Sequence, residues 1–179
     1  MGAATLFLEA TAAEFRRYKE LSDRALVQVG EAEWFYVPAR ESNCLAVVVK
    51  HVGGNLRSRW TDFLTADGEK PDRVRDAEFE LFEGDTVQGL LEGWEGGWAA
   101  VLGTLATLTE ADLGRTITIR SQPHSVPEAI QRSLAHTAYH GGQIVQLAKM
   151  IRAEGFENLS VPKGQSAQFL RLMEDRYRK

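Results

Sequence analysis

Three of the four histidines in this chain are spaced so that they could share a metal ion. His136 and His140 are four residues apart, so on an α-helix they would lie about 40° apart on one face, one turn above the other. Two such imidazoles can bind one divalent ion, and His51 from a facing helix would complete a three-nitrogen site with an open position. The alternative is that these are unrelated structural or surface histidines.

Four long helical patterns must position these histidines. Apolar residues recur at three- and four-residue spacing over 6–29, from 42 or 43 to 65, from 85 or 86 to 108, and over 125–154. His51 falls in the second pattern, and the other two histidines fall in the fourth. Helices of this length joined by loops predict an all-α protein of the four-helix-bundle class.

Shorter sequence patterns predict the structure of the connections between these helices and the positions of the helix ends. The alternating Thr-Ile-Thr-Ile within 115–121 predicts a short strand in the connection between helices three and four, as half of a hairpin. Residues 69–83 are charged and irregular and predict a loop with a short helical turn, while 166–177 predicts a last short helix. Ser125 and Glu128 form a capping box, and Gly155 is expected to end the fourth helix in a left-handed conformation.

The third helix has an unusual repeat of Gly89, Gly93 and Gly97. Each interior glycine costs about 0.5–1 kcal/mol relative to alanine. Two interpretations remain open: a smooth ridge that lets another helix or a ligand approach closely, or a weak helix stabilised by packing of Trp94 and Trp98.

The neighbours of the paired histidines indicate that both point toward the interior or its mouth. The apolar residues on their side of the helix are Ala129, Leu147 and Ile151. We expect the polar residues Arg132, Gln146 and Lys149 to lie on the opposite side. His124, in the preceding loop, is expected at the surface, and Cys44 is expected to be a small buried hydrophobe.

Asn55 and Arg59 follow His51 at one-turn intervals on the margin of an apolar face. This polar edge suggests the wall of a cleft, where both could orient an anionic group of a substrate. The alternative is a structural hydrogen bond for Asn55 and a solvated guanidinium for Arg59, and for Arg59 we favour the alternative.

Composition restricts the classes of function. The 179 residues, 44% hydrophobic and 26% charged, predict one soluble domain over 1–179 with its core at about 5–155. A net charge of -4 predicts no nucleic-acid or membrane partner, and the longest apolar run, 45–49, is too short to span a bilayer. The single cysteine excludes an internal disulfide and predicts a cytoplasmic location.

The motifs around the histidines resemble those of the DinB/YfiT-like superfamily of metalloenzymes. They are Val-Lys-His-Val-Gly-Gly-Asn at 49–55, the stretches 58–65 and 67–71, and His-Thr-Ala-Tyr-His-Gly-Gly-Gln-Ile at 136–144. The resemblance covers roughly 5–155 and is to an uncharacterised branch. It implies an up-down-down-up bundle, a homodimer, and His51, His136 and His140 as metal ligands. Gly141 stands where many relatives carry arginine, which argues against an anion contact from that position.

The resemblance also implies a reaction. Some members of the superfamily resemble metal-dependent S-transferases, in which the ion binds a low-molecular-weight thiol as thiolate. A histidine-only site suits zinc or nickel, with iron or manganese as further candidates. We therefore expect a thiol S-transferase-like enzyme. The alternatives are a metal-dependent hydrolase that uses bound water, and a non-catalytic scaffold in which the ion staples two helices.

A second apolar line on the fourth helix indicates a partner chain. It consists of Ile130, Leu134, Ala138 and Val145, offset from the histidine side. A helix that is apolar over so wide an arc is either central or covered by another chain, so we predict a homodimer.

Overall fold

The structure, a computed structural model, describes residues 2–178. Its long helices are α1 (Ala3–Leu26), α2 (Leu45–Trp60), α3 (Val87–Thr107) and α5 (Val126–Arg152), and its shorter elements are α4 (Glu110–Leu113), β1 (Thr116–Ile119), β2 (Gln122–Ser125) and α6 (Ser166–Tyr177). Short 3-10 turns lie at Glu31–Phe35, Asp76–Phe79 and Ala153–Gly155. The chain is mostly helical, as the sequence predicted.

The four long helices share one core. α2 packs along α3, α1 packs along α5, and α2 also contacts α5. Phe15 of α1 meets Trp60 of α2 and Trp98 of α3 edge to face, with ring centroids 5.5 and 6.3 Å apart. All three rings are buried, and this aromatic contact joins α1, α2 and α3. The Trp60 indole N–H also donates to Ser133 Oγ of α5 at 2.9 Å, which links α2 to α5, the two helices that carry the histidine candidates.

The glycine ridge of α3 is where α2 approaches. A Cβ atom on Gly97 would lie 2.6 Å from the Gly53 carbonyl oxygen, and one on Gly53 would lie 3.0 Å from the Gly93 carbonyl oxygen. Only glycine allows backbones this close. The close-approach interpretation is therefore confirmed for a helix partner at this point, and Trp94 and Trp98 are also buried in the core.

The predicted helix ends are only partly confirmed. Thr86 caps α3, and the Ser125–Glu128 capping box opens α5. α2 ends at Trp60, not at residue 65, because the chain turns through Asp62 with a φ of 49°. The prediction for Gly155 was wrong: Ala153 takes the positive φ of 48°, and α5 ends at Arg152.

The predicted strand forms a two-stranded antiparallel hairpin, with Ile119 opposite Gln122. Its turn residues, Arg120 and Ser121, both have positive φ, and their backbone N–H groups donate to the Asp67 carboxylate at 2.8 Å. These bonds attach the hairpin to the segment that follows α2, so Arg120 is held near that helix. Within residues 2–178, no helix is both long and apolar enough to cross a membrane.

Candidate metal centre

Three imidazoles from α2 and α5 meet at one point. The Nε2 atom of His136 lies 3.2 Å from Nε2 of His51 and 3.2 Å from Nε2 of His140. His51 and His140 are buried, and His136 is half-buried. The structure therefore brings together the three histidines selected from the sequence, and we call them the histidine cluster.

Two outward-facing nitrogens have acceptors as partners. His51 Nδ1 lies 2.8 Å from Glu78 Oε2, and His140 Nδ1 lies 2.7 Å from Gln143 Oε1. Carboxylate and amide oxygens accept hydrogen bonds, so both Nδ1 atoms carry the proton and donate it. In its neutral form, each of these rings then has a lone pair on Nε2, which faces the centre of the cluster.

Without a cation, the ring nitrogens around His136 cannot all find a hydrogen-bond partner. The Nδ1 atom of His136 is buried and has no hydrogen-bond partner among the described residues. If its Nε2 carries the proton, it can donate to only one of the two lone pairs that face it. In the other tautomer, three lone pairs face one another. A divalent cation would bind the Nε2 lone pairs of all three histidines at once, with the proton of His136 on Nδ1.

The distances fit such an ion. Zinc–nitrogen bonds are about 2.0–2.1 Å long, so two nitrogens on one zinc lie no more than about 4.2 Å apart. The two measured separations of 3.2 Å fall inside that limit.

Burial favours the neutral form of His136 and His140 by lowering the pKa of each. It is the main cause that lowers the pKa of His136 to about 3, and the neighbouring His140 and His51 lower it further. Burial also lowers the pKa of His140, although its hydrogen bond to Gln143 opposes this. Neutral imidazoles are the form that binds metals.

Glu78 connects the cluster to a chain of ion pairs that is buried at Glu78 and Arg73 and becomes more exposed toward Arg120. Arg73 donates to both carboxylate oxygens of Glu78 at 2.8 Å. Burial raises the pKa of Glu78, but the hydrogen bonds from His51 and Arg73 hold it below its usual value. Arg73 also pairs with Glu69, which binds Arg59 at 3.0 Å and Arg120 at 2.8 Å. The carboxylate on His51 is therefore ionised and fixed in place.

A cavity of about 190 Å³ opens beside the cluster. Two of the histidines, His51 and His136, form part of its wall. The remaining wall is largely basic, and no acidic side chain lines it: Asn55, Arg59, Arg75, Ile119, Arg120, Ala129, Arg132 and Ser133. We call this space the arginine cavity.

The structure places the other predicted residues as follows. Asn55 and Arg59 both line the arginine cavity, but Arg59 is not solvated, since it donates to the Gly68 carbonyl oxygen and to Glu69. The expectation that Arg132 faces away from His136 was wrong: it lies one turn before His136 and lines the same cavity. His124 is half-buried in β2 and is not part of the cluster.

Two further positions bear on the sequence expectations. Cys44 is buried at the start of α2, as predicted. A Cβ atom on Gly141 would meet Ser22 and Tyr18 of α1 at 3.5 and 3.6 Å. Position 141 therefore faces α1, which explains why a small residue fits there.

Sequence reasoning missed Glu78, Gln143 and Arg73. Glu78 and Arg73 lie in an irregular connection, where no periodicity shows which side chains face the core. Gln143 could have been found, because it lies three residues after His140 and so shares its helix face.

Comparison with known proteins gives one family. The sequence model of a family described as a protein of unknown function (DUF1572) matches residues 2–165. No curated protein matches the chain.

Proposed function

We propose that this chain, which belongs to the DUF1572 family of proteins of unknown function, is a metal-dependent enzyme that activates a thiol or water nucleophile. DUF1572 is in the DinB/YfiT-like superfamily, and we assign the chain a four-helix bundle of that type. The observation that carries the proposal is the convergence of three Nε2 atoms, of which two present lone pairs because Glu78 and Gln143 accept the protons on the opposite nitrogens.

The protein's own residues have separate roles in this proposal. His51, His136 and His140 hold the ion, and Glu78 and Gln143 orient two of the rings. Zinc or nickel suits this donor set best, with iron or manganese as alternatives. A bound ion would act as a Lewis acid that lowers the pKa of a coordinated water or thiol.

The cavity wall favours a thiol over water. A free thiol has a pKa of about 8.5, whereas bulk water has a pKa of about 15.7. Water is therefore more dependent on a nearby base, and the arginine cavity has no carboxylate in its wall to accept the proton. We accordingly propose a thiol S-transferase-like activity with a low-molecular-weight thiol as co-substrate, in a reducing cytoplasm.

The second candidate is a metal-dependent hydrolase, and the third is a scaffold in which the ion only joins α2 and α5. The cavity beside His51 and His136 argues against the scaffold, since a purely structural site is usually closed by a fourth protein ligand.

Metal content is the first test. We would measure elements in protein purified without an affinity tag, in wild type and in His136→Ala, with His124→Ala as the matched control. We expect about one ion per chain in wild type and His124→Ala, and a large loss in His136→Ala. Equal metal in wild type and His136→Ala would refute the proposal.

A spectroscopic test separates the three functions. Cobalt-substituted protein should show a new sulfur-to-metal absorption band when cysteine is added, if the protein is a thiol transferase. A hydrolase would turn over esters or amides without thiol, with a pH–rate midpoint near neutrality. A scaffold would show neither, but would lose stability when the ion is removed.

A further inference from the structure

Four arginines from four different segments reach the arginine cavity. Arg59 comes from α2, Arg75 from the α2–α3 connection, Arg120 from the hairpin turn and Arg132 from α5. Like charges that converge on one space repel each other, so their convergence needs a compensating negative charge. No acidic side chain in the cavity wall supplies it.

Protein carboxylates compensate only part of this charge. Arg59 and Arg120 both bind Glu69, and the same carboxylate also pairs with Arg73. Arg73 is also bound by Glu78, so two carboxylates face three guanidinium groups, two of which belong to the cavity. The cavity keeps a positive potential even before its other two arginines are considered.

Arg132 and Arg75 are the less constrained pair. Within residues 2–178, no carboxylate forms an ion pair with Arg132, and its guanidinium makes a long hydrogen bond of 3.4 Å to His124 Nε2. Arg75 packs over the Phe79 ring, 4.8 Å from its centroid. Its ion pair is with the adjacent Asp76 at 3.4 Å, where the carboxylate side chain is 92% exposed and the pair is weak.

Two neutral donors complete the lining. Asn55 is 9% exposed, and no hydrogen bond joins its amide to another described residue. Ser133 Oγ accepts from the Trp60 indole N–H at 2.9 Å, which leaves its hydroxyl proton free to donate. Buried amide and hydroxyl donors beside arginines are the groups that bind the oxygens of a carboxylate or phosphate.

We propose that the arginine cavity binds an oxyanion group of the substrate, a carboxylate or a phosphate, through Arg132 and Arg75, with Asn55 and Ser133 as neutral donors. Describing the ligand as a substrate rests on the proposed function, but the anion binding itself does not. Arg132 is one helical turn from His136, so a bound anion would place the rest of its molecule beside the histidine cluster.

The test is calorimetric titration of the metal-containing protein at low ionic strength. Inorganic phosphate and malonate are the two probes, and the tighter one identifies the preferred group. We expect Arg132→Gln and Arg75→Gln to weaken binding about tenfold or more, because each removes a charge-assisted hydrogen bond. Arg152→Gln, an exposed change on the same helix as Arg132, should leave binding unchanged.

Two results would overturn the proposal. One is the absence of saturable binding of either probe to wild type up to about 10 mM, far above the micromolar constants of an ordinary specific site. The other is equal weakening by Arg152→Gln and Arg132→Gln, which would show that only net charge matters.

Repeating the titrations after chelation separates this inference from the proposed function. Anion binding that persists without metal and still depends on Arg132 supports the subsite, even if elemental analysis finds no native ion. Binding that disappears with the metal and is insensitive to Arg132→Gln would overturn the subsite and leave the metal centre intact.

Discussion

Glu78 determines which nitrogen of His51 faces the histidine cluster. Its ionised carboxylate can only accept, so the ring must carry its proton on Nδ1 and keep the lone pair on Nε2. Arg73 holds the carboxylate in a two-bond contact, so neither partner is free to rotate. We therefore treat Glu78 as a positioning residue for the proposed metal site.

Replacing Glu78 with glutamine should weaken metal binding. The amide can donate as well as accept, so the tautomer of His51 is no longer fixed, and we expect affinity to fall about 10–100-fold. Competition with a chromogenic chelator measures this. Glu80→Gln, an exposed change two residues away, is the control and should retain wild-type affinity.

Acid should destabilise the metal-free protein through His136. The pKa of His136 is about 3 in the folded protein, whereas an ordinary histidine in the unfolded chain has a pKa of 6.5. Between these pH values the unfolded chain therefore binds a proton that the folded chain does not. The free energy of unfolding therefore decreases as pH falls below 6.5. The urea midpoint of chelated protein should drop more between pH 7 and pH 5 in wild type than in His136→Asn, and equal drops would contradict this.

The close approach of α2 to α3 depends on particular glycines. Gly97 faces the backbone of Gly53, whereas Gly96, its neighbour in the same helix, has no atom within 4 Å of where its Cβ would be. The two positions therefore separate the cost of a steric clash from the benefit of a better helix former.

We expect Gly97→Ala and Gly96→Ala to change stability in opposite directions. The first forces the helices apart and should lower the free energy of unfolding by roughly 1–3 kcal/mol. The second should raise it by about 0.5–1 kcal/mol, because alanine loses less backbone entropy. Urea unfolding of both variants measures the difference; a stable Gly97→Ala would show that the contact is not tight.

Elements whose apolar residues recur at a regular spacing could be predicted from the sequence. Irregular connections, which have no such spacing, could not. The long helices, the hairpin and the shared face of His136 and His140 follow from spacings of two, three and four residues. That His51 would meet this pair was expected from a facing helix and from the family resemblance, not from spacing. Glu78 and Arg73 lie in a connection whose path depends on contacts with α2, so no local pattern indicates their position. Arg132 was misplaced although its four-residue spacing from His136 puts both on one face.

The surface of α5 suggests a contact with a second copy of the chain. Of the apolar line predicted from sequence, Ile130 is fully buried and the rest are half-buried, so it offers little free surface. Tyr139 and Met150, however, are 64% and 55% exposed and border a groove of about 630 Å³. Exposed apolar side chains around a groove are typical of protein contact sites.

We predict a homodimer through this surface. Sedimentation at micromolar concentration should give twice the chain mass of 19.9 kDa. Replacing Tyr139 and Met150 with glutamate should give a monomer, because buried charges oppose association, while Leu172→Glu on α6 should leave the mass unchanged. A monomeric wild type would contradict the prediction.

The way the α2–α3 connection is attached has a consequence for how molecules enter. Glu69 ties it to α2 and to the hairpin, Lys70 bonds to Ser58, and Glu78 ties it to His51. Moving this segment aside would break the partly buried ion pairs of Glu69 and the buried hydrogen bond between His51 and Glu78. We therefore do not expect molecules to enter the cavity by displacing it. We expect ligands to enter and leave the arginine cavity between the hairpin turn and the first turns of α5, where Arg120 and Arg132 are exposed to solvent.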